Sequence, residues 1–89
     1  MNMDELEEKY RRYADNLKHA FSRLTLKQDS DKNKKVEEVV DLAKRYFMDA
    51  EYFREKNQVV TALISLAYCE GLLDALRILN YVNFQWRVK

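Results

Sequence analysis

Three charged residues near the end of the chain have a spacing that could support chemistry. Glu70, Asp74 and Arg77 are four and three positions apart, so on a helix they share one face. Two carboxylates beside an arginine can transfer protons or bind a cation. The same residues can also form an exposed ion-pair cluster, and no histidine or second carboxylate pair follows at metal-ligand spacing. We predict a polar cluster here, and we assign no catalytic residue, metal or cofactor to it.

Cys69 is the only cysteine and His19 the only histidine, which restricts nucleophilic and metal chemistry. A cysteine nucleophile would need His19 beside it, and one histidine cannot build a two-histidine metal site. A lone cysteine on an apolar stripe is typical of a small buried hydrophobe, and we predict that role. One cysteine forms no intramolecular disulfide, and no charged-then-apolar leader opens the sequence, so we expect a cytoplasmic protein.

Basic residues are concentrated around the start of the second predicted helix. The chain as a whole has 16 basic and 15 acidic side chains and a formal net charge of +1, so no global field attracts polyanions. Weak nucleic-acid binding without sequence preference is therefore the alternative function that we consider. Its contacts would be Lys32, Lys34, Lys35, Lys44 and Arg45.

The elements that must position these residues are helices. The sequence has no proline and one glycine, which excludes folds that need a turn residue after each of many short strands. Apolar residues recur every three or four positions in three segments, and 89 residues leave room for one core. We predict an all-α protein, an antiparallel three-helix bundle forming one domain over residues 1–89. The predicted helices cover about 3–25, 32–56 and 58–80, and a short aromatic tail covers 81–89.

The second and third helices should form a tight antiparallel hairpin. Asn57 tolerates the left-handed backbone that closes many helices, and the next periodic residue, Val59, follows almost at once. The predicted seam of the third helix faces the core with Val59, Ala62, Leu66, Cys69, Leu73 and Leu76. Leu17, Ala43 and Phe53 from the other two helices should meet this seam.

The third helix is apolar around nearly all of its circumference. Two neighbouring helices cannot cover so wide an apolar surface. Either the tail folds back over it or a second chain does, and we predict a homodimer. The candidate interaction surface is Val60, Ile64, Leu72, Ile78, Leu79, Tyr81, Phe84 and Trp86. Gly71 lies inside this helix at a cost of roughly 1 kcal/mol relative to alanine, so we expect close helix contact there. We predict no membrane span, because the longest uncharged run is shorter than the roughly 20 residues that a bilayer requires.

The last two thirds of the chain resemble a known family. The residues that carry the resemblance are Tyr46, Phe47, Asp49, Ala50, Tyr52, Phe53, Ala62, Leu63, Tyr68, Gly71, Leu73, Asp74 and Ala75. The pattern is similar to short archaeal proteins grouped as domain-of-unknown-function family three-five-seven. The resemblance implies a small helical bundle and brings no biochemical activity with it. The family pattern has a glycine soon after the last helical leucine, where this chain has Asn80 and Tyr81.

These observations favour a non-enzymatic helical interaction or assembly module that associates with itself. Weak nucleic-acid binding is the alternative. An enzyme that uses Glu70 and Asp74 is the reading with least support.

Overall fold

Three helices make up most of the chain in the computed structural model, which describes residues 2–27 and 30–86. Helix α1 spans Met3–Arg23, α2 spans Ser30–Glu55 and α3 spans Val59–Ile78. Two strands of two residues each, β1 at Thr25–Leu26 and β2 at Val82–Asn83, complete the described elements. The predicted all-α class, the three-helix bundle and its aromatic tail are confirmed. Residues 87–89 of the predicted tail lie outside the described residues.

The three helices pack unequally. Helices α2 and α3 form the most closely packed pair, and the backbone of α1 lies nearer to α3 than to α2. Helix α1 reaches α2 through side chains: Arg54 pairs with Glu7, and the Phe21 and Phe47 rings meet edge to face at 6.0 Å. These partners run in opposite order along the two helices, so α1 and α2 are antiparallel.

The core is built around the predicted seam of α3, all six residues of which are buried. Helix α1 contributes Tyr10, Ala14, Leu17 and Ala20, and α2 contributes Val36, Val40, Ala43 and Ala50. Phe53, expected in the core, is partly buried and packs against its edge. No buried side-chain nitrogen or oxygen in the described part of the chain lacks a hydrogen-bond partner. Apolar burial therefore holds the bundle together without an uncompensated polar cost.

Asparagine residues in the left-handed conformation end both α2 and α3. Asn57 has φ 61° and Asn80 has φ 67°. The amide of Gln58 donates to the carbonyl of Phe53 at 2.9 Å, and the amide of Tyr81 donates to that of Leu76 at 2.9 Å. These six-to-one bonds are the Schellman arrangement, which usually places glycine in the left-handed position. Asn80 thus takes the left-handed position at which glycine is usual.

The tail and the first connection pair as strands, which the hydropathy pattern does not predict. Thr25 lies opposite Asn83, and Leu26 lies opposite Val82, in an antiparallel ladder. The amide of Lys27 extends it by donating to the carbonyl of Tyr81 at 3.0 Å. Because residues 24–26 leave the helix to form this ladder, α1 ends at Arg23 and not near residue 25. Strands of two residues are too short to show a hydropathy pattern.

The burial of Leu66 predicts the stability of a truncated variant. Leu66 is 1 % exposed at the centre of the α3 seam. We expect Leu66→Ala to lower the free energy of unfolding by about 2 to 5 kcal/mol, because it removes apolar contacts and leaves a cavity. Leu79→Ala, at a position 61 % exposed, is the matched control and should cost less than about 0.5 kcal/mol. Urea unfolding of both variants measures the difference, and equal midpoints would show that the core has been assigned wrongly.

Candidate functional site

One side of α3 is exposed and apolar along the whole helix. We call this surface the α3 outer face, and its members are Val60, Ile64, Ala67, Tyr68, Gly71, Ala75 and Ile78, all exposed. Their spacing of mostly three and four positions places them on one side, opposite the buried seam. Ile64 is 54 % exposed and Ile78 is 71 % exposed. The face contains no charged side chain.

Small residues form the middle of the α3 outer face. Ala67, Gly71 and Ala75 follow one another at intervals of four, so they line one row on the helix surface. A Cβ atom built on Gly71 would meet no atom of the described chain within 4 Å. The close contact that we expected at Gly71 is therefore not made within the bundle, and the glycine faces open space.

The predicted interaction surface divides into two parts. Val60, Ile64, Ile78 and Leu79 are exposed, and Leu72 is partly buried. The tail residues are used within the chain: Phe84 is buried, and Tyr81 and Trp86 are partly buried against the core. The tail packs at the end of the bundle and leaves the α3 outer face uncovered. The tail, one of the two covers that the sequence suggested for α3, therefore contacts this helix elsewhere and does not cover its outer face.

Tyr68 marks the side of the α3 outer face nearest to α2. Its ring is 60 % exposed and stacks on that of Tyr46, with centroids 5.3 Å apart and planes 15° from parallel. Tyr46 is partly buried and packs against the core. The stack therefore fixes the position of a large exposed aromatic surface beside the row of small residues.

Within the predicted polar cluster, Asp74 is a structural acceptor. Its Oδ1 atom accepts hydrogen bonds from the Arg77 guanidinium at 2.9 and 3.2 Å and from the Trp86 indole at 3.0 Å. Asp74 thereby ties the tail to α3. The described contacts do not bring Glu70 into this group, and Trp86 is a partner that helical spacing could not reveal. The arrangement serves tail docking better than proton transfer, because its carboxylate oxygen is engaged by several donors.

No hydrogen bond joins Cys69 and His19 in the described part of the chain. Cys69 is fully buried in the core, and its burial, with the negative charge of Glu70 as a second cause, raises the pKa of Cys69 to about 12. A thiol with this pKa is protonated at neutral pH and is a poor nucleophile. His19 is partly exposed near the end of α1. Among the residues that the structure describes, no group of three His, Cys, Asp or Glu side chains could hold a metal ion.

A charged cluster between α1 and α2 was not found from the sequence. The buried Tyr10 hydroxyl donates to Glu51 Oε2 at 2.6 Å, and the Arg54 guanidinium lies 5.7 Å from the centre of the Tyr10 ring. Arg54 also pairs with Glu7 at 3.1 Å. Burial, and secondly the bond to Glu51, raise the pKa of Tyr10, so the phenol keeps its proton and the cluster joins two helices. Its pairs connect separate helices, so spacing along one helix does not reveal them.

The basic residues around the start of α2 do not share one face. Lys34, Lys35, Lys44 and Arg45 are exposed, and the side chain of Lys32 lies outside the described residues. At 100° per residue, Lys34 and Arg45 lie on one side of α2, whereas Lys35 and Lys44 point to opposite sides. The acidic residues Glu38 and Asp41 lie between Lys34 and Arg45 on their side.

The length and composition of α3 would also allow it to cross a membrane. Its most apolar 18-residue window has a mean hydropathy of 1.6, and 39 % of that window is buried inside the protein. The core helix of a soluble protein passes the same test. That the chain has no membrane span remains a prediction. It rests on the charged residues in the second half of α3, which shorten the uncharged run.

The chain was compared with families, curated proteins and solved structures. The profile of a family described as "Protein of unknown function (DUF357)" matches residues 12–82. Curated proteins and solved structures give no match. The matched range covers the second half of α1, β1, all of α2 and α3, and the first residue of β2. It therefore begins before the last two thirds of the chain, in which the sequence resemblance lies. Because the match spans well over half of its length, the chain belongs to the DUF357 family.

Proposed function

We propose that this protein is a non-enzymatic assembly module that forms a homodimer through the α3 outer face. The observation that carries the proposal is the exposure of an uncharged, apolar helix face beside a fully buried seam. A contiguous exposed apolar patch often marks a site of protein–protein contact. Burial of this strip against another apolar surface would stabilise the complex through the hydrophobic effect.

A second copy of the chain is the occupant that the α3 outer face fits best. Without a charged residue, the face offers no electrostatic complementarity that would select a foreign partner. A two-fold axis places the same surface on both sides, so small residues meet small residues. With Gly71 and two alanines in one row, two α3 helices can approach closely and cross with their rows interdigitated.

The size of the face sets the expected affinity. The strip from Val60 to Ile78 is about 27 Å long and about 10 Å wide, or roughly 270 Å² of footprint per chain. Stable interfaces bury about 800 Å² per partner, so an interface made by this strip alone is weak. We therefore expect a reversible dimer whose population changes over the micromolar range.

The other two readings have less support. Nucleic-acid binding through the basic cluster is disfavoured by the acidic residues interleaved with it and by the near-zero net charge. Catalysis through Glu70 and Asp74 is disfavoured because Asp74 holds the tail.

A charge introduced into the α3 outer face should abolish the dimer. We expect Ile64→Lys to be monomeric, because dimerisation would bury an unpaired ammonium group. Met48→Lys is the matched control, because Met48 is a 65 % exposed apolar residue on α2, outside the α3 outer face. This control should dimerise as the parent does. Sedimentation equilibrium from about 1 to 200 µM measures the masses. A parent chain that stays monomeric throughout would overturn the proposed function.

Gly71→Ala separates the stability of the chain from its association. No atom of the described chain obstructs the added methyl group, so we expect the free energy of unfolding of the monomer to rise by about 0.5 to 1 kcal/mol. The same methyl group would stand between two α3 helices and weaken the dimer. Thermal unfolding at low concentration and sedimentation at high concentration measure the two effects. A destabilised monomer would contradict the open surroundings of Gly71.

The alternative function has its own test. We expect the chain to leave a single-stranded RNA column below about 0.5 M salt, because few phosphate contacts are available and salt competes with them. Retention above that concentration, lost in the double variant Lys44→Gln with Arg45→Gln, would favour nucleic-acid binding through the α2 cluster.

A further inference from the structure

An open groove lies between the end of α1 and the tail, away from the α3 outer face. Its volume is about 740 Å³, within the range of about 300 to 1,000 Å³ typical of small-molecule sites. Arg23 and His19 line one side, and they belong to one face of α1 because they are four residues apart. Thr25 and residues 83–86 of the tail complete the lining.

The charge of the groove is positive. Arg23 is exposed and has no hydrogen bond or ion pair with a described side chain, so the five donors of its guanidinium are available to a ligand. None of the lining residues is acidic, although acidic residues number 15 in the chain. An anion placed on Arg23 therefore meets no acidic side chain among the residues that line the groove.

Two further polar residues of the lining belong to the strand ladder. Thr25 and Asn83 lie directly opposite each other in the β1–β2 pair, which fixes their backbones. Gln85 adds a second primary amide to the lining. Amides both donate and accept hydrogen bonds, as the edges of nucleobases do.

Two aromatic residues, Phe84 and Trp86, are among the residues that line the groove. Trp86 is held in place by its indole bond to Asp74 and by an edge-to-face contact with Phe84, whose ring centre is 4.9 Å away. Trp86 is partly exposed and Phe84 is buried. A fixed indole beside a cationic side chain is the combination that stacks on a base while an arginine binds its phosphate.

We propose that this groove binds a nucleoside phosphate, with the phosphate on Arg23, assisted by His19, and the base against Trp86. Phosphate matches the arginine fork, which binds two oxygens at once. The groove is much larger than a phosphate ion, and its remaining surface is aromatic and amide-lined, as a base requires. A free nucleotide and the end of a nucleic-acid strand both present this chemistry.

Adenosine 5′-monophosphate is the probe ligand, and the indole group of Trp86 is the spectroscopic reporter of its binding. Trp86 is the only tryptophan, so the single indole N–H signal in a proton–nitrogen correlation spectrum reports this groove. We expect a saturable shift of that signal, at least tenfold weaker with adenosine, which lacks the phosphate, and with ribose 5-phosphate, which lacks the base. No shift at about 5 mM nucleotide, or equal shifts with all three compounds, would overturn the proposal.

Two variants test the role of Arg23. Arg23→Gln should weaken binding of the nucleotide at least tenfold, whereas Arg11→Gln, an exposed arginine nearer the start of α1, should leave it unchanged. Circular dichroism confirms that both variants are folded. Equal affinities in the two variants would contradict the assignment of Arg23 as the phosphate ligand.

A six-residue oligoadenylate separates the two sources of the ligand. If the oligoadenylate strand binds more than tenfold more tightly than the mononucleotide, and Arg23→Gln removes this gain in affinity, the natural ligand is a nucleic-acid strand. If the two affinities agree within a factor of about six, as expected from the number of equivalent nucleotides, a free nucleotide is the natural form. An oligonucleotide that binds equally to the Arg23→Gln variant uses another surface, and that result would overturn the groove as the site.

Discussion

Burial of one stripe of α3 between the other two helices is the constraint on which the rest of this small protein depends. The stripe runs from Val59 to Leu76, and each of its six residues is nearly or fully inaccessible to water. Helix α2 packs closely along it because Asn57 turns the chain back sharply after Glu55. Helix α1 completes the enclosure, and its long side chains bind α2 through Glu51 and Arg54. A helix that faces two neighbours in this way necessarily leaves its third side open, and that side is apolar here.

The two candidate surfaces arise at different places for different reasons. The α3 outer face exists because apolar residues continue around the helix beyond what two neighbours cover. The groove exists because the tail turns back and is anchored by Trp86 on Asp74, which leaves space beside the last turn of α1. The α3 outer face suits an apolar helix, and the groove suits an anion that carries an aromatic ring. One chain of 89 residues can therefore carry an assembly surface and a separate ligand site.

Much of the fold was accessible from periodicity, and most of the site was not. The α3 seam is predictable because every third or fourth residue is apolar and because helix turns are local. The left-handed turn at Asn57 follows from the same local reasoning. The strand ladder was missed because two residues at Thr25 and two at Val82 have no pattern, and pairing between distant segments leaves no local trace. The role of Asp74 as the acceptor for Trp86 could not be predicted for the same reason. Trp86 is remote in sequence and reaches Asp74 only after the tail has folded back.

The ladder between β1 and β2 also orders the events of folding. Its two strands are about 60 positions apart in the sequence, so closing it costs more chain entropy than forming the adjacent α2–α3 hairpin. Contacts of short range form faster than contacts of long range. Synthesis proceeds from the N-terminal side, so the three helices are available before residue 83 arrives, and only then can the first connection be paired. The groove, which lies between α1 and the tail, is therefore completed after the three helices during synthesis.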